Sequence, residues 1–475
     1  MVLIFNDSPH PNGQVRSIGA YRISTALQQA GIEVEVIDFI SRWNLKDLLS
    51  YLDKITNISW VGFSSRFTMD ITPSKGIMTA LSANDELELL QYLKRRDISI
   101  VVGGATADKF RPYLVNQVDY CITGYADVGV LAMHHHIVSG QALTYSDYKG
   151  IKVVNCDVDY KDIDLTNIAT YYQYSDFVQP YERFPLEIGR GCIFKCAFCN
   201  FAHIGKKKGT YIRDKESIKA EIIDRYNKYK STHFYFLDDT FNDSLEKMQM
   251  IAEIRQETQI PFEFWAYCRL DVLMAQAEMQ NLLPKLGWKS LTFGIETFNY
   301  TSGKAVGKGA NPDKLKNFLL DLTQRFPDLD FSINIIAGLP ADTRETLYDT
   351  ANWFLENPSV ACNVHIIPLE IYNSNDSEGR KVTSRISQTP EQFGYEVSPT
   401  NNVGVPLMTM LWKTKTLDTA QSEQIAKELE PTLNKDRRRK WVSYKTVGTK
   451  KIKAAADVLV DAYIESKLRY RGLLT

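Results

Sequence analysis

The chain alternates short apolar runs with segments of helical periodicity, and this alternation restricts the fold more than any other feature. Strand–helix–strand order is typical of parallel sheets whose crossover helices cover the faces. The alternation occurs in residues 1–138 and again in residues 185–375. A chain of 475 residues is also too long for one ordinary core. We therefore predict an α/β protein with two parallel-sheet domains, a linker over residues 139–184 and a helical C-terminal extension over residues 376–475.

The first domain is predicted to be a doubly wound parallel sheet. Its strands are short runs rich in Val, Ile and aromatic residues. They are Val2–Phe5, Val34–Asp38, Trp60–Ser64, Ile98–Val102 and Tyr120–Ile122. Helices are predicted over Ser17–Ala30, which ends at Gly31, and over Asp85–Arg96. Ligands of such sheets bind beyond the carboxyl ends of the strands, so the loops that follow these strands are candidate binding sites.

The second domain is predicted to be a partial (β/α)6 barrel. The six predicted strands are Leu186–Gly189, Phe234–Leu237, Phe262–Tyr267, Ser290–Gly294, Phe331–Ile336 and Val364–Leu369. Active sites of parallel barrels lie at the C-terminal ends of the strands. Polar residues occupy or adjoin most of these ends, namely Asp238, Asp239, Arg269, Glu296 and Asn334. We expect these side chains to share one pocket.

Three of the seven cysteines, Cys192, Cys196 and Cys199, are spaced as C-x3-C-x2-C. A structural zinc site uses four protein ligands, and no second Cys or Cys/His pair follows at zinc-ribbon spacing. Three thiolates instead suit a [4Fe-4S] cluster that keeps one iron free for another ligand. Zinc or chance spacing remains the alternative. The sequence thus favours an iron–sulfur cluster on this loop.

With Phe198 before the third cysteine, the motif resembles the C-x3-C-x-aromatic-C motif of the radical SAM superfamily. This resemblance implies a [4Fe-4S] cluster and bound S-adenosylmethionine (SAM). It implies that Asp238 or Asp239 contacts the SAM amino group, that Arg269 contacts its carboxylate and that Glu296 contacts the ribose.

The resemblance also places Asn334 in the fifth-strand motif near the adenine. Each of these barrel residues has a structural alternative. The aspartates could cap a helix, Glu296 could pair with a nearby lysine, and Arg269 could be a surface charge. Several of these residues follow strand ends that would share one pocket, and this favours a SAM site over the structural alternatives.

The loops after the strands of the first domain resemble those of cobalamin-binding domains fused to radical SAM enzymes. Small residues occupy these loops: Ser64, Gly103, Gly104 and Gly124. A glycine turn allows the backbone to approach a nucleotide-like tail closely, although it could also be an ordinary tight turn. In the cobalamin family a histidine of the D-x-H-x-x-G motif can ligate cobalt, but His10 lies one residue too far from Asp7. The resemblance therefore implies cobalamin as a cofactor, without a required histidine.

The net charge of −1 argues against nucleic-acid binding by the chain as a whole. The C-terminal part is more basic, with runs at Lys435–Lys440 and Lys450–Lys453 and with Trp441 and Tyr444 nearby. These runs could bind RNA or an anionic substrate, or they could be solvated surface. No run approaches the ~20 apolar residues of a membrane helix, and no signal-peptide pattern opens the chain. We expect a cytoplasmic protein without membrane contact.

We interpret the chain as a radical SAM enzyme and, by resemblance, as a cobalamin-dependent methyltransferase that acts on an unactivated carbon. Its substrate is unknown from the sequence. The resemblance implies a reductase partner such as flavodoxin or ferredoxin. One alternative is a radical SAM cyclase or rearrangement enzyme whose N-terminal domain binds no cobalamin. Another is a non-catalytic iron–sulfur protein, against which the SAM-like strand ends argue.

Overall fold

The computed structural model describes residues 1–7, 16–64, 83–104, 116–156, 168–179, 182–201, 205–207, 209–372, 384–399, 409–435 and 449–474. His10, the basic residues 436–440, Trp441 and Tyr444 lie outside the described residues. No helix in the described ranges is both long enough and apolar enough to cross a membrane.

The first sheet has seven strands within the described part of the chain, in the order β2-β1-β3-β4-β5-β7-β6. The strands are β1 (Val2–Phe5), β2 (Val34–Ile37), β3 (Trp60–Ser64), β4 (Ser99–Gly103), β5 (Tyr120–Gly124), β6 (Ser146–Tyr148) and β7 (Ile151–Cys156). The helices are α1 (Ile18–Gln29), α2 (Leu45–Asp53), α3 (Ala83–Arg95) and α4 (Ala126–Ser139). All pairs are parallel except the edge pair of β6 and β7. The predicted doubly wound sheet and its five strands are confirmed.

This sheet extends beyond the predicted boundary at residue 138. β7 pairs in parallel with β5, and β6 pairs with β7. Residues 146–156, which we had predicted to be linker, are therefore strands of the first sheet. The segment 168–179 does run between the two sheets, where the ring of Tyr172 packs between those of Tyr21 and Phe184.

The second sheet contains six parallel strands whose spatial order follows the chain, β8 to β13. They are β8 (Phe184–Leu186), β9 (His233–Phe236), β10 (Glu263–Cys268), β11 (Trp288–Glu296), β12 (Asp330–Ala337) and β13 (Asn363–Pro368). The helices are α5 (Lys215–Tyr229), α6 (Leu245–Thr258), α7 (Leu270–Ala275), α8 (Ala277–Leu286), α9 (Tyr300–Val306), α10 (Pro312–Arg325) and α11 (Arg344–Glu356). β8 and β13 are the two edge strands of this sheet, so the sheet does not close into a full barrel. The predicted partial barrel is confirmed.

Capping side chains fix where several barrel helices begin. Asp214 accepts a hydrogen bond from the backbone N–H of Ser217 at the start of α5, and Asn311 does the same for Lys314 at the start of α10. Such caps satisfy backbone donors that have no partner within the helix. Each cap therefore fixes the residue at which its helix begins.

The C-terminal extension contains strands as well as helices. A small antiparallel sheet of order β14-β16-β15 joins β14 (Ile371–Tyr372), β15 (Glu396–Ser398) and β16 (Thr409–Lys413). The helices are α12 (Arg385–Gln388), α13 (Thr419–Asn434) and α14 (Thr449–Tyr470).

α13 covers the edge of the barrel, where the Asn434 side chain accepts a hydrogen bond from the backbone of Val364 and donates one to it. This contact satisfies backbone groups of an edge strand that would otherwise lack a partner.

α14 returns to the first sheet. The Tyr463 hydroxyl accepts a hydrogen bond from the backbone N–H of Asp38 at 2.8 Å, and Lys467 pairs with buried Glu35 at 2.7 Å. Burial alone would raise the pKa of Glu35, but Lys467, Tyr51 and Arg471 together lower it. The C-terminal extension thus contacts both domains, the barrel through α13 and the first sheet through α14.

Candidate functional site

The three motif cysteines lie on the loop that follows β8, at the C-terminal end of the barrel strands. Cys192 is buried, whereas Cys196 and Cys199 are partly exposed. The loop folds back on itself, because Gly205 donates a backbone hydrogen bond to Phe194 and Lys206 donates one to Cys192. This segment, residues 192–207, is called the cluster loop below.

The cluster loop has the donor set of an iron–sulfur site. Burial raises the pKa of the Cys192 thiol, and it raises that of Cys199 to about 12. Among the described residues, no three or more His, Cys, Asp or Glu side chains already converge as a metal site. Three thiols on one loop nevertheless fit a cluster, since metal binding deprotonates thiols and orders them.

Neighbouring groups reach the sulfur atoms of this loop. Arg269 donates a hydrogen bond from Nη1 to the Cys196 sulfur at 3.3 Å, and the Cys192 thiol lies 3.5 Å from Thr240 Oγ1. Hydrogen bonds and charge near cluster sulfurs tune the reduction potential of iron–sulfur sites. Phe198, the motif aromatic, packs against the barrel core between the second and third cysteines.

The two aspartates after β9 occupy different environments. Asp238 is buried and lies 2.7 Å from the Lys247 ammonium, which also lies 2.9 Å from Asp243. Asp239 is half-buried, and its carboxylate has no partner among the described residues. The helix that follows is capped by Ser244, so the capping alternative for the aspartates is wrong.

Burial sets the protonation of both aspartates. It raises the pKa of Asp238 to about 6, although Lys247 opposes the shift. Burial together with the charge of Asp238 raises the pKa of Asp239 to about 7. Asp238 is therefore committed to a buried ion pair, and Asp239 is the carboxylate available to a ligand.

Arg269 is 6% exposed, so the prediction that it could be a surface charge is wrong. Its guanidinium forms two hydrogen bonds with Asp271, at 3.0 and 2.5 Å, and packs over the ring of Phe194. Together with the bond to Cys196, these contacts join the end of β10 to the cluster loop.

Glu296, at the end of β11, has a left-handed backbone conformation with φ of +68°, which is rare for a residue with a side chain. Its carboxylate folds back over Gly294, where an added Cβ would lie 2.4 Å from Glu296 Oε1. Lys308 lies 3.5 Å from the same oxygen, so the lysine alternative is present in the structure. Burial raises the pKa of Glu296, while Lys308 and Arg269 oppose that shift. Strained positions of this kind cluster at functional sites.

Asn334 lies at mid-strand in β12, beside Gly294 of β11 and His365 of β13 in register. Its side chain is half-buried and has no partner among the described residues. Three aromatic rings lie on β9 and β10 of the same sheet. Tyr235 stacks on Trp265 at 4.2 Å, and Trp265 meets Tyr267 edge-on at 4.5 Å. Burial chiefly raises the pKa of Tyr267 and the charge of Glu296 adds to the shift, so this aromatic group lies near the polar residues at the strand ends.

The glycines predicted for the first sheet have conformations that favour glycine. Gly104 has φ of +121° and Gly124 has φ of +73°. Gly103 packs against β5, where an added Cβ would lie 2.9 Å from Ile122. Ser64 ends β3 opposite Gly103 in register. The four positions therefore lie at the carboxyl ends of three adjacent strands.

A partly buried ionic network joins this edge of the first sheet to the cluster loop. Arg190, two residues before Cys192, lies 3.0 Å from Asp127 at the start of α4 and packs over the ring of Tyr125. Arg190 also lies 2.6 Å from Glu187. Glu187 in turn binds Arg22 of α1 at 2.5 Å. The two candidate binding edges are thus in direct contact.

Sequence reasoning assigned no role to several residues that build the site, namely Lys247, Asp271, Lys308, Asp127 and Arg190. Two of them carried a local signal. Asp243 and Lys247 have the i,i+4 spacing of helical ion pairs, and Arg269-Leu270-Asp271 opens a helix with an acidic residue in its first turn. Arg190 and Asp127 are 63 positions apart, and nothing local connects them.

Residues 186–354 match the sequence model of the radical SAM superfamily. Among curated proteins, a tRNA-2-methylthio-N(6)-dimethylallyladenosine synthase from Nitratiruptor sp. is 21% identical over 59% of this chain and 70% of that protein. A hopanoid C-3 methylase from Methylococcus capsulatus is 25% identical over 42% of this chain and 37% of that protein.

Two solved structures share the fold over nearly the whole chain. The radical S-adenosylmethionine methyltransferase TsrM from Kitasatospora setae superposes with a TM-score of 0.67 at 14% identity, covering 99% of this chain and 98% of that one. The cobalamin-dependent S-adenosylmethionine radical enzyme OxsB superposes with a TM-score of 0.66 at 15% identity, covering 98% of this chain and 72% of that one. The order of an open sheet, a barrel and a C-terminal extension is therefore common to all three.

Proposed function

We propose that the protein is a cobalamin-dependent radical SAM methyltransferase that acts on an unactivated carbon, since residues 186–354 match the radical SAM superfamily. The observation that supports this most is the contact between Arg190 and Asp127. It holds the glycine-rich edge of the first sheet against the cluster loop, so ligands at the two edges would face one another. When bound, the cluster and SAM would supply hydrogen abstraction, and the corrinoid would supply the methyl group.

The cluster loop would hold the [4Fe-4S] cluster through Cys192, Cys196 and Cys199. Three cysteines leave one iron for SAM. Arg269 would act as a positioning residue, because it contacts the Cys196 sulfur and is itself oriented by Asp271. Its predicted contact with the SAM carboxylate stays a prediction.

Three side chains would bind SAM. Asp239 is the half-buried carboxylate suited to the amino group, since Asp238 is already paired with Lys247. Glu296 would accept hydrogen bonds from the ribose hydroxyls, and Lys308 opposes the rise in the pKa of its carboxyl group that burial causes. Asn334 offers an amide without a partner in the described residues, which suits an adenine edge.

Cobalamin would lie on the glycine-rich edge of the first sheet, near Ser64, Gly103, Gly104 and Gly124. Open α/β sheets bind their ligands at this edge. A bulky corrinoid needs close backbone approach, which glycine permits. The carboxylate and guanidinium groups found at the barrel edge would orient a charged ligand such as SAM rather than a corrinoid.

The test assigns the two metal cofactors separately. We would load the protein anaerobically with iron, sulfide and hydroxocobalamin, and measure iron content and corrinoid absorbance. Replacing Cys192, Cys196 and Cys199 with Ala should abolish cluster iron. Gly104→Trp should abolish corrinoid retention while iron stays at the wild-type level.

Gly140→Trp is the matched control, because Gly140 also has positive φ, at +72°, but ends α4 away from the strand ends. It should retain both cofactors. Full iron content in the triple cysteine variant would refute the cluster assignment. Equal corrinoid retention by Gly104→Trp and wild type, or none by wild type, would instead favour a radical SAM enzyme without cobalamin. Isotope-labelled SAM with candidate substrates would then show whether a methyl group is transferred.

A further inference from the structure

The exposed face of the cluster loop is surrounded by cations. Lys195 and Lys207 lie on the loop itself, Lys304 lies on α9, and Arg385 opens α12; all four are exposed. We propose that this basic face docks an acidic one-electron carrier protein that reduces the cluster. The proposal rests on the function proposed above, because the carrier would deliver its electron to the [4Fe-4S] cluster.

The elements that carry these cations contact the cluster loop directly. The backbone N–H of Ala197 donates to Val306 at the end of α9, at 3.0 Å. The backbone oxygen of Ala197 accepts hydrogen bonds from Ser384 and Ile386 of the α12 segment, each at 3.0 Å. Since Ala197 lies between two cluster cysteines, the elements that carry Lys304 and Arg385 both border the cysteine motif.

The charges of the basic face are available to a partner. Among the described residues, none of Lys195, Lys207, Lys304 and Arg385 has a carboxylate partner. Lysines on the nearby helix α5 differ, since Lys215 pairs with Glu253 and Glu257.

The three segments that carry these cations, residues 192–207, α9 and α12, contain no Asp or Glu. Asp214 caps α5 and Glu391 follows α12, and both are exposed. The segments that carry the face are therefore positive, although the whole chain has a net charge of −1. An acidic partner would therefore be steered to this face rather than to the surface as a whole.

Phe201, on the same loop, is 59% exposed. An exposed aromatic residue inside a ring of cations resembles a small protein contact, in which an apolar centre is bordered by charge. Transient electron-transfer complexes have small interfaces, and charge complementarity chiefly sets their association rates. Cys196 and Cys199 are partly exposed beneath this surface, so a docked carrier would approach the cluster closely.

The proposed step transfers one electron and no atoms. The reduced carrier loses one electron, and the cluster changes from its 2+ to its 1+ state. RNA is the competing partner for a basic surface. We favour the carrier because the cations lie on and beside the cluster loop. Among the described residues of the loop and α9, the exposed aromatic side chains are Phe201 and Tyr300, which do not make the row of stacking aromatics used by single-stranded nucleic acid binders.

The experiment compares two reductants on the cluster-loaded protein. Photoreduced flavodoxin, an acidic carrier, needs to dock, whereas dithionite does not. For Lys195→Glu/Lys207→Glu, we expect the flavodoxin-driven rate of cluster bleaching to fall roughly tenfold or more at low salt, while the dithionite-driven rate changes less than about twofold. The difference should shrink at ~0.5 M salt, where the Debye length is a few Å. Binding of flavodoxin to the protein without its cluster should weaken in parallel.

Lys230→Glu/Lys285→Glu is the charge-matched control, because these exposed lysines precede β9 and β11 and so lie at the opposite end of the barrel. It should behave like wild type with both reductants. Equal flavodoxin-driven rates for the two double variants would overturn the docking proposal. Loss of RNA binding with an unchanged flavodoxin rate would overturn it as well. If dithionite reduces no cluster in the wild type, the proposed function fails instead.

Discussion

The two candidate binding edges are built by opposite means. At the edge of the first sheet, the positions that approach a ligand are small residues such as Gly104 and Gly124, which expose backbone. At the barrel edge, the corresponding positions carry charged side chains held by buried partners, as Lys247 holds Asp238. The first edge therefore provides space, whereas the second provides fixed charge.

This difference teaches which kind of ligand each edge can recognise. Fixed charges in a low-dielectric environment orient a small charged ligand, and they act only if their own partners are in place. Backbone and space suit a large ligand that makes many weak contacts. Substitutions at the barrel edge should therefore lower stability or ligand affinity strongly, by amounts that depend on the chemistry of the new side chain. The predictions below test this contrast with the first edge.

Lys247→Met is expected to have the largest effect on stability. It leaves Asp238 and Asp243 buried without their cation, and removal of one partner of a buried ion pair costs about 3–5 kcal/mol. Chemical denaturation should show this loss. Lys215→Met, at an exposed ion pair, is the control and should unfold much like wild type. If both variants unfolded alike, the barrel edge would not depend on its buried charges.

Asp239→Asn should weaken SAM binding by an intermediate amount. Loss of a charge-assisted hydrogen bond of ~2 kcal/mol corresponds to roughly 30-fold weaker affinity. Because the pKa of Asp239 is raised to about 7, its carboxylate forms as the pH rises through neutrality. Wild-type affinity should therefore increase from about pH 6 to about pH 8.

Calorimetric titration at these two pH values checks the prediction. The Asn variant should lose the pH dependence as well as the affinity, whereas Asp313→Asn, an exposed change on α10, should keep both. A wild-type affinity that fell with rising pH would contradict the role of Asp239.

Breaking the ion pair between Asp127 and Arg190, which joins the two edges, should have the smallest effect on the free energy of unfolding. Asp127 and Arg190 are 18% and 16% exposed, so their coupling is expected to be about 1 kcal/mol in a double-mutant cycle. The cycle would use Asp127→Asn and Arg190→Gln and measure unfolding free energies. Lys94 and Asp119, an ion pair within the first domain that is 33% exposed on each side, serve as the comparison. Strictly additive effects of Asp127→Asn and Arg190→Gln would show that this contact does not join the edges.

The barrel strands could be predicted from the sequence because each of them has a local pattern of apolar residues. All six predicted strands occur, each with ends within about four residues of those observed. β7 was missed although Ile151-Lys152-Val153-Val154 has strand composition, because the surrounding polar and tyrosine-rich residues were interpreted as a linker.

Only the three-dimensional structure shows which of the two adjacent aspartates is available to a ligand. Asp238 and Asp239 are adjacent, and only the position of Lys247, nine residues later, separates their roles. Likewise, no local pattern could place Arg190 beside Asp127 or turn Arg269 toward Cys196. Strand positions depend on neighbours in sequence, whereas the partners of charged groups depend on packing.

The return of α14 to the first sheet has a consequence for the order of folding. Glu35 meets its buried partner Lys467 across 432 positions of sequence. At ~5–20 residues per second, a ribosome would finish that partner roughly 20 to 90 s after Glu35. During this interval the face of the first sheet covered by Tyr463 stays open to solvent. The first sheet is therefore synthesised before the barrel but completed after it, and closing so distant a contact is expected to be the slow step of maturation.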